Sequence, residues 1–184
     1  MSDTKILRAP AAIALLVLMM AVASIPSFAR ATGPQSSPED RRRFVAVVHI
    51  LEQAPLAGSA RDERAWALAW LTDAPDVTVH ACLEPLNGLA KTKYAYAPEL
   101  VVQDMLSMGA FAIEHADAAK DEAAVQLAGI EGTLAAYRAI LKGKPAAHAA
   151  PLDALIELQA KGELAGFARD AWARCSAKEA TPVA

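Results

Sequence analysis

Between residues 38 and 175 apolar and polar positions recur with helical spacing, broken by short clusters of proline and glycine. Ser36-Ser37-Pro38-Glu39-Asp40 reads as a helix start: a hydroxyl cap, a proline in the first turn and two acids at the positive end of the dipole. The helix is predicted to reach about Gln53, with Phe44, Val47, Val48 and Leu51 in one buried stripe and Arg41, Arg42 and Arg43 forming a solvated turn. Ala54-Pro55 and Gly58 interrupt the pattern. Ser59 then caps a second helix through about Thr72, with Trp66 and Trp70 one turn apart on one face. Ala74-Pro75-Asp76 ends it, residues 77–83 fit either a short helix or an extended segment, and Glu84-Pro85-Leu86-Asn87-Gly88 is turn-rich.

A third helix is predicted from Pro98 to about His115. Its apolar positions cover most of the girth and leave Gln103, Ser107, Ala110 and Glu114 as a narrow wet stripe, so it is expected at the centre of a bundle. Asp117 is the predicted cap of a fourth helix to about Lys142, with Gly143 and Pro145 as its stop. Its main stripe is Ala123, Leu127, Ile130, Leu134, Tyr137 and Leu141, flanked by Ala124, Ala128, Gly132, Ala135 and Ala139, small enough for another helix to come close. Glu131 lies between the two surfaces; it reads as a rim carboxylate bonded to a neighbour and is also the best candidate for a buried acid, whose pKa burial would raise. A short helix from Pro151 to about Ala160 follows. The last helix has Leu164, Phe167, Ala168, Ala171, Trp172 and Cys175 on its buried face, and residues 176–184 lack periodicity and are expected to be a disordered tail. Residues 132–145 are similar in pattern to the closing helix of a tetratricopeptide repeat, but no second copy lies at the ~34-residue period, which argues against a solenoid.

The expected fold is therefore all-α: a single-domain bundle of about five to seven helices over residues 38–175. Composition agrees, since the 184 residues include 44 alanines and only 5% aromatics. With 18 basic against 21 acidic side chains the net charge is −3, which gives no general attraction to nucleic acid or anionic lipid.

The N-terminus changes the picture. Lys5 and Arg8 precede an apolar stretch at residues 11–23, and small residues follow at Ser27, Ala29 and Ala31, the order of an export signal. Residues 1–29 are thus read as a signal peptide, cleaved after Ala29 or Ala31, with residues 30–37 a flexible N-terminus. The stretch is shorter than the ~20 residues of a membrane span, so no stable membrane insertion is expected after cleavage; a retained anchor is the alternative. The implied destination is a bacterial periplasm or the exterior. In such an oxidising compartment Cys82 and Cys175, the only cysteines, are expected to form one disulfide, for which the chain-entropy model allows about 4–5 kcal/mol.

Reaction chemistry is hard to find. The chain lacks the nucleophile-elbow, zinc-protease, phosphate-loop and dinucleotide-binding motifs, so no catalytic, cofactor or metal residues are assigned and no cofactor is expected. Glu114-His115 with Asp117 and Asp121 is the densest set of potential metal ligands and is read as helix-terminal capping. The candidate contacts for a ligand or partner are Trp66, Trp70, Lys93, Tyr94 and Tyr96, as aromatic groups with an ammonium near a helix start. The leading expectation is an exported, non-enzymatic protein-binding module of adaptor, inhibitor or immunity type. A small-ligand carrier with an aromatic pocket and a small periplasmic enzyme are the alternatives.

Overall fold

Ser37 opens the first helix as its sequence promised: its Oγ accepts from the Asp40 N–H at 3.0 Å and donates to the Asp40 carboxylate at 2.7 Å. The computed structural model describes residues 36–179, with side chains as far as residue 177. Six helices lie within it: α1 (Pro38–Gln53), α2 (Ala60–Asp73), α3 (Ala97–Glu114), α4 (Glu122–Gly143), α5 (Ala150–Ala160) and α6 (Leu164–Glu179). Short 3-10 turns at Glu84–Leu86, Leu89–Lys91 and Ala118–Lys120 fill the connections, and no strand occurs among the described residues. The stretch read as a signal peptide and the N-terminal segment before Ser36 lie outside the described residues.

Four local expectations change. Ser59 stands at the start of α2 but makes no side-chain cap bond, since its own backbone is already helical. Of the two readings of residues 77–83, the short helix does not form, and residues 77–82 carry neither helix nor strand. The cap of α4 is Asp121, which accepts from the Ala123 N–H at 3.0 Å, because a 3-10 turn intervenes after Asp117. At the C-terminus α6 continues to Glu179, past the point where apolar periodicity stops, as helix-compatible Ala, Lys and Glu need no core contact to extend a helix already begun.

Helices α3 and α4 form the central hairpin, and α1 packs on both. Two apolar clusters flank it. Phe44, Val48 and Leu51 of α1 meet Ala67 and Leu71 of α2 and Leu106 of α3. Ile130, Leu134, Tyr137 and Ile140 of α4 meet Leu100 of α3, Leu86 and Leu89 of the connecting turns, Leu152 and Leu155 of α5, and Leu164 and Ala168 of α6.

Cys82 and Cys175 are joined, with their Cα atoms 6.3 Å apart, so α6 is tied covalently to the segment preceding the first 3-10 turn. Cys82 is buried and Cys175 only half-buried, so the last helix turns its cysteine to the edge of the core. No helix among the described residues is long and apolar enough to cross a membrane.

The stripe of α3 predicted to be wet is the largest correction. Gln103, Ser107 and Ala110 are buried and only Glu114 is exposed, while the apolar Val101, Val102 and Met105 are half-exposed, as are residues 111–113. α3 buries its polar face because α4 lies against it and offers glycine there. A Cβ on Gly129 would stand 2.7 Å from Asp104 Oδ1, and one on Gly132 would stand 2.5 Å from Ser107 Cβ. The backbones approach so closely that only hydrogen fits.

Candidate functional site

All buried polar residues of the described core belong to this hairpin: Gln103, Asp104 and Ser107 on α3, Gln126 and Thr133 on α4. They lie between the two apolar clusters, since α3 sends Leu100 into one and Leu106 and Ala110 into the other. Within the seam Gln103 Nε2 donates to Ser107 Oγ at 3.0 Å, and Ser107 donates to Glu52 Oε1 of α1 at 2.8 Å. Gln126 Nε2 donates to the His80 carbonyl at 2.8 Å, and Thr133 Oγ1 to the Leu100 carbonyl at 3.4 Å. Oδ1 of Asp104 and the Oε1 atoms of Gln103 and Gln126 are buried with no partner. Desolvation pushes the Asp104 carboxyl up to about 8, so the side chain is a neutral acid at pH 7.

The hydrogen-bonded chain surfaces in a cleft. From Glu52 it passes to His49, whose Nδ1 lies 2.9 Å from Glu52 Oε2 and whose Nε2 lies 3.2 Å from Glu114 Oε1. The cleft, of about 290 Å³, is walled by Glu52 of α1, Phe111 and Glu114 of α3, His115 just past its end, and Glu131 of α4, with Ala128, Gly132 and Ala135 as a floor of small residues. Phe111 and His115 set their rings 4.9 Å apart, tilted 44° to each other, on one wall. Three carboxylates thus face an opening that no lysine or arginine lines.

Ser107 gives its proton to Glu52, and the imidazole of His49 sits on the far oxygen of that carboxylate, so the hydroxyl has no base of the serine-hydrolase kind beside it. Hydrogen bonding to Glu52 raises the His49 pKa above 6.5, against an opposing desolvation, and Glu114 adds to the rise. No group of three or more His, Cys, Asp or Glu side chains among the described residues is placed to hold a metal ion.

The residues singled out by sequence sit elsewhere, with one exception. Glu131 is exposed and stands on the rim of this cleft; the buried acid is Asp104, which the neighbouring apolar positions masked. Trp70 packs on Phe44 with ring centroids 4.6 Å apart, and the Arg43 guanidinium covers Trp66 at 3.7 Å, so both indoles serve the first apolar cluster. Tyr94 packs edge to face on Tyr96 and on Tyr137, both tyrosines lie against the second cluster, and the Tyr94 hydroxyl donates to the Ala147 carbonyl at 3.0 Å. Burial pushes the Tyr94 hydroxyl up to about 12. Lys93 is exposed and lines a shallow groove with Tyr94, Pro98 and Val101. The structure therefore does not assemble the tryptophans and tyrosines into one aromatic pocket. Of the missed residues, His49 and Glu52 had a local signal in their i, i+3 spacing on one helix; the link to Glu114, 65 positions away, had none.

No protein-family model matches the chain, and neither a curated protein nor a solved structure is significantly similar to it.

Proposed function

We propose that this is an exported helical module that binds another protein, in the manner of an adaptor, inhibitor or immunity-type factor, and that the α1–α3–α4 cleft receives a lysine or arginine side chain of the partner. One observation carries the reading: three carboxylates, Glu52, Glu114 and Glu131, converge on an opening whose only basic groups are the imidazoles of His49 and His115. A guanidinium or ammonium group is the complement of that charge, and the small floor leaves room for an extended side chain. The disulfide between Cys82 and Cys175 supports an oxidising destination, the periplasm or the exterior, reached by the leader at residues 1–29 with cleavage after Ala29 or Ala31.

Photo-cross-linking in intact cells tests this. A benzophenone amino acid in place of Glu131, on the rim, is expected to give a discrete adduct whose partner peptide carries lysine or arginine, and Glu114→Lys should abolish it. The same probe in place of Lys93 should give none. Adducts from position 93 with none from position 131 would move the binding face to the tyrosine groove and overturn the proposal.

A further inference from the structure

A histidine flanked by two carboxylates is a proton-dependent fastener, and here it joins two helices at the edge of the cleft. His49 belongs to α1, Glu52 to the next turn of the same helix, and Glu114 is the last residue of α3. Both ring nitrogens face carboxylate oxygens, at 2.9 Å for Nδ1 and at 3.2 and 3.3 Å for Nε2. Carboxylates only accept, so both contacts are hydrogen bonds only while the ring is an imidazolium with two N–H groups. A neutral ring keeps one proton and must abandon one partner.

The geometry decides which. Glu52 makes the shorter contact, is 18% exposed against 37% for Glu114, and is fixed from behind by the Ser107 hydroxyl. The remaining proton therefore stays on Nδ1, and a lone pair on Nε2 then faces Glu114. We propose that His49 is a proton-operated latch: protonated, it fastens the end of α3 to α1 and offsets cleft charge; neutral, it releases Glu114 and leaves the cleft more acidic. What the latch regulates rests on the reading of the cleft as a site for a basic side chain; the latch itself does not.

The other titratable groups facing the cleft are Glu52 from α1, Glu114 from α3, His115 just past the end of α3, and Glu131 from α4; none comes from α2. Because Glu52 and Glu114 hold the His49 pKa above 6.5, release comes at a higher pH than for a free imidazole. A cation entering the cleft competes with the imidazolium for the same carboxylates. Its affinity therefore rises as pH rises through the His49 transition, and its binding lowers the His49 pKa by the reciprocal amount.

The test uses the mature protein alone, in a His115→Gln background so that only one imidazole faces the cleft. Its ring titration is followed by NMR together with the backbone amides of residues 113–115. The expected result is a His49 pKa above 6.5 and amide shifts at the end of α3 with the same midpoint. Glu114→Gln should uncouple those amides from the His49 titration, and Glu52→Gln should lower the His49 pKa more than Glu114→Gln does. A His49 pKa at or below 6.5, or amides that do not follow it, would overturn the latch. Since no partner is present, this outcome is independent of whether the cleft binds one.

Discussion

Asp104 is the residue whose chemistry departs furthest from its ordinary state. Its carboxyl is buried beside Gly129 and titrates near 8 in place of 3.8, so the folded protein holds a proton that the unfolded chain releases above pH ~4. The sign follows from proton binding. Stability decreases as pH rises from about 4 to about 8, with a slope of at most ~1.4 kcal/mol per pH unit, and is flat with respect to this group above that range. Asp104→Asn keeps the shape and removes the titration. Urea denaturation at pH 5 and pH 6, below the transition of His49, is expected to show the wild-type protein losing stability between the two and the variant losing less. Equal losses would mean that Asp104 is ionised in the fold.

At the scale of elements, the account depends on how closely α3 and α4 approach. Gly132→Ala places a methyl group 2.5 Å from Ser107 Cβ and 2.6 Å from Glu52 Oε1, so the helices must part and the chain from Gln103 to Glu52 is strained. The expected loss is about 1–3 kcal/mol by chemical denaturation. Gly143→Ala, at the open end of the same helix with nothing within 4 Å, should change stability by less than about 0.5 kcal/mol. The helices themselves were legible in the sequence, because apolar periodicity and proline or glycine stops are local: α1 and α5 came within a residue or two of their observed ends. The facing of α3 was not. Gln103 and Ser107 look like surface residues when polarity alone assigns faces, and the compensating glycines lie about 25 positions further along the chain. Two apolar clusters separated by a polar seam defeat the assumption that one helix has one wet side.

Across the whole molecule, the disulfide and the hairpin divide the work of holding the fold. The covalent link spans 93 residues and secures α6 against the far cluster, while the cleft opens on the opposite cluster's side, where α1 meets the hairpin. The pairing was legible because two cysteines allow one connectivity. The cleft was not, since its carboxylates come from three helices and two of them read as ordinary helix-surface acids. Lys93, Tyr94 and Tyr96 drew notice by their density in the sequence; the two tyrosine rings pack on the second cluster, while Lys93 stays exposed beside them. The most direct measurement is a heteronuclear NMR titration of the protein with an acetylated Ala-Arg-Ala peptide, using the Ala-Glu-Ala counterpart as control. The account predicts shifts confined to residues 49–53, 111–115 and 128–135, stronger above the His49 transition than below it and absent with the acidic peptide. Shifts centred on residues 93–98, or equal responses to both peptides, would contradict it.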